Sequence, residues 1–315
     1  MLEIFHYEHG ISAIDSGYVR PKHAAIHFIV DASRVAIVDT GTNDSLPRVR
    51  AALEAMELPE ANVEYILLTH IHLDHAGGAG ALMQAFPQAR LVVHPRGARH
   101  MADPSKLVAG AAAVYGAGEV RRLYGEILPV PAERIVEATH QMKLPLGNRE
   151  LVCLDTPGHA RHHISIVDTK ARAVFTGDTF GLSYNELDTD GRQFVFPTTT
   201  PVQFDPDALH ASIDLIVAQS PRVVYLTHFS ELRDVEQHAA ELHRIIDEHV
   251  AIARREARPA PDRHSRIRAH LARLLLSEAE RFGCRLPPAT ILKLWETDIE
   301  LNAQGLDVWL EASAK

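Results

Sequence analysis

The sequence predicts an α/β fold in which two β-sheets pack face to face with helices outside them, an αββα four-layer sandwich with an appended C-terminal helical domain. Three observations predict it. β-like segments gather in two halves of the chain, each followed by stretches of helical periodicity. Residues 262–315 carry helical spacing and no further β set. With 315 residues, 46% of them hydrophobic, the chain can bury a full core.

Taken in order, residues 24–30 and 34–38 read as the strands of a hairpin that turns at residues 31–33. Leu46, Val49, Leu53 and Met56 recur at helical spacing, so residues 45–57 should be a helix. A β-rich run at 65–68 ends in Thr69-His70, and a short helix at 77–86 and a strand at 91–93 follow. Residues 103–128 form a helical excursion with Pro104 near its start. Four β-like segments return at 134–138, 141–144, 150–154 and 164–175, the last folded at 168–171, and suggest a second sheet. Asp205-Pro206 is a cap and first turn for a helix at 205–218. A strand at 223–226 and a long helix at 231–257 complete that half. Arg258-Pro259-Ala260-Pro261 then reads as a linker, so that residues 1–257 form the larger domain, with both sheets, and 262–315 the helical one, broken at Gly283 and Pro287-Pro288.

Composition excludes several classes. The net charge of −9 disfavours a protein devoted to wrapping nucleic acid or coating anionic lipid. No window approaches the roughly 18 apolar residues of a membrane span. The opening MLEIFHYEHGI has neither a basic nor an apolar leader region, so a cytoplasmic protein without a membrane partner is expected. Cys153 and Cys284 are too few and too isolated for a disulfide framework or a thiolate zinc cluster. Histidine is the outlier, with 20 in the chain.

The densest signal is Thr69-His70-Ile71-His72-Leu73-Asp74-His75-Ala76-Gly77-Gly78. His70 and His72, two apart at the end of an extended run, project to the same side and can reach one ion. Asp74 and His75 come as the chain turns into a helix and can serve a neighbouring position. Neutral imidazole and carboxylate suit zinc, iron and manganese. His159, Asp178 and His228 each follow a β-like run, and strand ends collected on one edge would make a shared site.

This order of motifs resembles the metallo-β-lactamase superfamily, over about residues 10–230. The resemblance implies an αββα hydrolase scaffold in which His70, His72 and His159 hold a first metal, Asp74, His75 and His228 a second, and Asp178 bridges them. Asp39, in Val38-Asp39-Thr40-Gly41, matches the family's early aspartate, which supports a ligand histidine from behind. Asp178 and the absence of an export signal point away from antibiotic hydrolysis, and His72 with no flavodoxin-like half points away from flavodiiron electron transfer. Gly177-Asp178-Thr179-Phe180 is similar to a segment of glyoxalase II, but the basic C-terminal residues with which that enzyme binds glutathione find no match. Thioester specificity therefore stays open.

The implied activity is hydrolysis of an ester, thioester or lactone of small-molecule size, with two divalent ions, zinc first and iron or manganese next. If they lie about 3.5–4 Å apart, the bridging hydroxide between them is the nucleophile. Asp74 is the candidate for orienting it and moving its proton. Substrate selection should come from residues 16–23, from the 103–128 excursion and from residues 180–201. There His23, Phe180, Tyr184 and Phe196 could line the pocket, Tyr184 offering its hydroxyl to an oxyanion. His162 and His163 read as packing or support. Two alternatives compete: a mononuclear iron dioxygenase acting on a persulfide-type sulfur substrate, and a phosphodiesterase or nucleic-acid-binding member of the fold. Residues 251–285 contain nine Arg against four acidic residues. These arginines read first as the solvated side of an amphipathic helix, so nucleic acid is not the expected partner, and a homodimer is left open.

Overall fold

The structure is a computed structural model that describes residues 2–258 and 260–313. Pro259 of the sequence-assigned linker lies outside the described residues. Seven strands form the first sheet in chain order: β1 (Ile4–His6), β2 (Ile11–Asp15), β3 (Ala25–Asp31), β4 (Arg34–Val38), β5 (Val63–Leu67), β6 (Arg90–Val93) and β7 (Ile135–Glu137). The hairpins from β1 to β4 are antiparallel; β4 to β7 are parallel and joined through helices. The second sheet holds β8 (Met142–Leu146), β9 (Arg149–Asp155), β10 (Ile164–Asp168), β11 (Ala173–Gly177), β12 (Val223–Leu226) and β13 (Ser230–Leu232), with β8 and β13 at its edges. Only the β11–β12 pair is parallel there, because a helix crosses over between them.

Period-two alternation explains how each strand serves two layers. In β3, Ile29 faces the second sheet while Ile26 and Phe28 face helices; in β4, Ala36 and Val38 face inward and Val35 and Ile37 outward. The second sheet mirrors this, with Cys153, Phe175 and Tyr225 in the central layer and Leu154, Val174 and Val224 outside. The first sheet's outer face is covered by α1 (Leu46–Ala55) and α3 (Ala79–Ala85), which follows the four-residue α2 (Leu73–Ala76), and by α4 (Pro95–Ala102). The second sheet's outer face is covered by α7 (Pro206–Val217) and α8 (Val235–Arg255). Each fully buried Leu or Ile in these layers contributes about 1.5–3 kcal/mol relative to exposure.

The αββα sandwich is thus the observed fold, with three differences in detail. The strand at 135–137 belongs to the first sheet as the parallel neighbour of β6, not to the second. The long helix starts at Val235, because residues 230–232 pair with β12 as an edge strand. Between β6 and the excursion an additional helix, α4, forms. Its Pro95 suits the first turn, and His94 caps it by accepting from the Arg96 amide. The excursion itself is α5 (Ser105–Tyr115) and α6 (Ala117–Tyr124).

The tail folds as α9 (Arg263–Phe282), α10 (Pro288–Leu294) and α11 (Glu296–Ser313). Ile267, Leu271, Leu275, Trp295 and Leu306 share one apolar cluster with Val224, Leu226 and Leu242 of the second sheet and α8. Four of its arginines are paired with acidic side chains of neighbouring segments: Arg263 with Asp307 and Glu311, Arg266 with Glu256, Arg268 with Glu300, Arg281 with Glu241. Among the described residues no helix is long and apolar enough to cross a membrane.

Candidate metal centre

Strand ends build the site. Asp39 follows β4, Thr69 to His72 follow β5, His159 lies beyond β9, Asp178 is the residue after β11, and His228 lies two past β12. Asp74 and His75 sit on α2, whose short turn begins at His72 and brings both side chains back over the strand edge. All seven sequence-predicted ligand residues come together there.

Their atoms form three overlapping groups, His70 with His72 and His159, His70 with His75 and Asp178, and Asp74 with His75 and His228. Within each, the nearest ligand atoms lie within 4.8 Å of one another. His72 Nδ1 is 2.9 Å from His70 Nε2 and 3.0 Å from His159 Nε2. Asp178 reaches His159 Nε2 with Oδ2 at 3.5 Å and His75 Nε2 with Oδ1 at 3.3 Å. His228 Nε2 stands 3.3 Å from Asp74 Oδ2 and 3.3 Å from His75 Nε2.

The opposite nitrogen of each ring explains the inward aim. Buried Asp39 accepts the Thr69 amide (2.8 Å) and the Thr227 hydroxyl (2.7 Å), and its Oδ2 lies 2.9 Å from His75 Nδ1, which leaves His75 Nε2 for the cluster. His228 Nδ1 meets the His23 carbonyl at 2.7 Å, His70 Nδ1 the Thr69 hydroxyl at 3.2 Å, and His159 Nδ1 the Thr200 hydroxyl at 3.4 Å. His72 alone turns Nδ1 inward.

Burial decides the charge states. It pushes His72 down to about 3 and His159 to about 4, and takes His70 well below the usual range, so these three are neutral with lone pairs free. For His75 burial acts in the same direction, but the carboxylates of Asp178, Asp74 and Asp39 outweigh it and raise it well above the ordinary value. Burial opposes the ionised forms of Asp74 and Asp178 too; His75 leads the imidazoles that hold both below the usual carboxylate range. Asp178 Oδ1 is buried without a hydrogen-bond partner, although His75 Nε2 is 3.3 Å away. Ring nitrogens within 2.9–3.3 Å of one another, beside a carboxylate oxygen without a hydrogen-bond partner, are a donor set that fits a divalent cation.

Residues 19–228 match the family described as the metallo-beta-lactamase superfamily. The chain belongs to that superfamily. It is 27% identical over 224 residues to ST1585, a metallo-beta-lactamase fold-containing protein of Sulfurisphaera tokodaii, covering 70% of this chain and 78% of that one. It is 26% identical to the hydroxyacylglutathione hydrolase GloC of Haemophilus influenzae over 47% of this chain and 62% of GloC. The crystal structure of the metallo-beta-lactamase family protein TTHA1429 from Thermus thermophilus superimposes with a TM-score of 0.68 at 20% identity, covering 97% and 94% of the two chains.

Around this metallo-beta-lactamase edge the expected pocket residues part company. His23 stays beside the cluster, its ring centroid 4.9 Å from that of His228 and 5.5 Å from that of Tyr184. Phe180 and Phe196 do not line an open wall: both are fully buried in the apolar cluster under the tail, where leaving water stabilises them. Tyr184 is also fully buried, and its hydroxyl donates to Asp298 Oδ1 (3.0 Å), so it is not free for an oxyanion. His163 supports the site: it accepts the Asp178 amide at Nε2 (3.2 Å) and lies 3.0 Å from the Thr156 hydroxyl. His162 Nδ1 accepts from the Ile71 amide at 3.5 Å.

Sequence reasoning missed a stacked pair of tyrosines beside His23. Tyr18 packs 5.7 Å from His23, stacks on Tyr124 of α6, and their hydroxyls are 2.8 Å apart. It also missed the tail. Asn302 accepts from the Thr199 amide (2.6 Å) and donates to the Pro197 carbonyl (3.3 Å), anchoring the loop whose Thr200 touches His159. Asp298, Asn302 and Gly305 recur at helical spacing, the signal that could have marked this face of α11.

Proposed function

We propose that the protein is a metal-dependent hydrolase of a small-molecule ester, thioester or lactone. One observation carries the reading: seven imidazole and carboxylate groups meet at one sheet edge with ring nitrogens turned toward one another and Asp178 Oδ1 without a hydrogen-bond partner. His70, His72 and His159 would hold one ion, Asp74, His75 and His228 a second, with Asp178 between them. Zinc suits this donor set best, with iron and manganese as alternatives. When bound, such ions supply Lewis acidity toward a carbonyl and lower the pKa of water at the site.

The chain's own residues supply orientation and proton traffic. Asp74 is the most solvent-exposed carboxylate of the cluster, at 21% against 8% for Asp178, and its depressed pKa keeps it ionised at neutral pH. As the more open of the two carboxylates it is the one placed to orient the attacking water and pass its proton on, although so depressed a pKa makes it a weak base. Asp39, Thr69 and Thr227 fix the ring of His75, and the Thr200 hydroxyl steadies His159. Tyr18, His23 and Tyr124 give the acyl or leaving group an aromatic wall.

A relative named hydroxyacylglutathione hydrolase makes a thioester the first substrate class to try. Elemental analysis of the purified protein, followed by a panel of thioester, ester, lactone and phosphodiester substrates, tests the reading. Two divalent ions per chain with turnover of an acyl substrate is the expected result. One iron per chain with oxygen consumption on a sulfur substrate would replace it with the dioxygenase reading.

A further inference from the structure

Outside the cluster, α7 and α8 lie side by side and carry a second histidine pair. The rings of His210 and His243 stack with 16° between their planes and centroids 4.9 Å apart. Their Nδ1 atoms are only 2.6 Å apart. Each ring turns its other nitrogen to a carboxylate of the opposite helix: His243 Nε2 is 3.1 Å from Asp214 Oδ1, and His210 Nε2 is 3.3 Å from Asp247 Oδ1.

This chain of four groups has a charge problem at its centre. An ionised carboxylate only accepts, so His243 Nε2, in hydrogen-bond contact with Asp214, carries its hydrogen, and His210 Nε2 faces Asp247 at ion-pair distance. A neutral imidazole has one N–H, so His243 Nδ1 presents a lone pair to His210 Nδ1 at hydrogen-bond distance, and with His210 in the same tautomer both Nδ1 atoms do. Two lone pairs at that separation repel unless something positive stands between them. The outer carboxylates complete the arrangement in which a metal-bound imidazole donates its far N–H to an acidic side chain. Solvent reaches the pair, since the histidine side chains are 25% and 27% exposed.

We propose that His210 and His243 form a second metal site, on the surface between α7 and α8, for a late divalent transition ion of the zinc and copper kind. Both Nδ1 atoms are the protein ligands, water completes the coordination, and Asp214 and Asp247 hold the rings in place. The bound ion clips α7 to α8. An ion bound only by the folded chain raises its stability, so zinc should raise the melting temperature through this site.

The test titrates Zn²⁺ calorimetrically into the protein as purified, with its resident metal in place. Wild type should take up one more Zn²⁺ per chain than His243→Ala, and a zinc-dependent rise in Tm should be present in wild type and absent in the variant. His210→Gln, which keeps more of the side-chain volume, should lose the same uptake, and Asp214→Asn should weaken it about 10- to 100-fold. Activity and resident metal content should be unchanged in all three. Equal zinc uptake and equal zinc-dependent Tm in wild type, His243→Ala and His210→Gln would overturn the proposal and leave a proton as the bridge between the rings.

Discussion

The sandwich buries charged groups at both of its ends, and the two ends differ in one respect that separates structure from chemistry. At the end away from the histidines, Arg149 reaches Asp168 and the carbonyls of His9 and Val30, while Lys170 reaches Asp31. Every carboxylate oxygen there has a donor: Asp31 takes Lys170 and the Asn148 amide, Asp168 takes Arg149 and the amides of Lys170 and Ala171. Opposite charges supply these donors from within, although Arg149 Nε is itself buried without a partner. At the histidine edge, nitrogens face nitrogens at 2.9–3.3 Å, and the nearest group to Asp178 Oδ1 is His75 Nε2 at 3.3 Å, outside hydrogen-bond geometry. Imidazoles and carboxylates gathered this closely are a donor set that could hold a metal ion.

The sharpest way to break this contrast is to remove a group from each end. Asp178→Ala should abolish metal retention and lower turnover by roughly 10³-fold or more, since several kcal/mol of electrostatic stabilisation go with the ions and each 1.36 kcal/mol is tenfold. Its circular dichroism and melting profile should remain those of a folded chain. Wild-type turnover in this variant would sink the hydrolase mechanism. Arg149→Ala should do the reverse. It strands the buried Asp168 carboxylate and should cost about 3–5 kcal/mol of stability in denaturant titration, with metal content per folded molecule unchanged. A variant as stable as wild type would show that this end is not closed by charge pairing.

How much of this was legible in the sequence follows from where each contact lies along the chain. That the HxHxDH run from His70 to His75, the early Asp39 and the residues after β9, β11 and β12 meet at one edge was readable because each follows a β-like run, and parallel neighbouring strands bring such ends together. The hairpin turn was readable too, and Ala32 and Ser33 there adopt φ of 47° and 63°, matching the twist of a two-residue hairpin loop. What could not be read is contact between distant segments. Phe180 and Phe196 look the same in sequence whether they line a cleft or sit under a helix, and the tail that covers them lies about a hundred residues on. Tyr184 was expected to face substrate because nothing near it in the chain announces Asp298. The arginines of α9 found acidic partners on α8 and α11, a pairing that charge counts allow but do not locate.

The tail's grip on the histidine edge gives the next prediction. Gly305 of α11 lies so close to the loop that a Cβ would stand 1.6 Å from the Thr199 carbonyl oxygen, a backbone atom that cannot swing away. Gly305→Ala should therefore push α11 and residues 197–200 apart, at about 1–3 kcal/mol of stability, and loosen the Thr200 contact to His159. Metal affinity should fall along with stability. A variant that loses stability but keeps wild-type metal affinity would confine the tail to a packing role.

The smallest effect concerns acid. Lys170 is half exposed, and its hydrogen bond, ahead of the opposing effect of burial and the help of the Asn148 amide, holds the Asp31 carboxyl below its ordinary range. A carboxyl depressed in the folded state stabilises the protein above its unfolded pKa, near 4, and loses that contribution as pH falls through the lower folded value. Lys170→Ala should cost about 1 kcal/mol or less at pH 7, as expected for an ion pair open to water on one side. The gap in Tm between wild type and variant should then close as the pH is lowered below about 4, because the protonated Asp31 no longer needs its partner. A gap that stays constant from pH 7 to pH 3 would mean that Lys170 acts through packing of its methylene stem rather than through the charge it brings to the closed end.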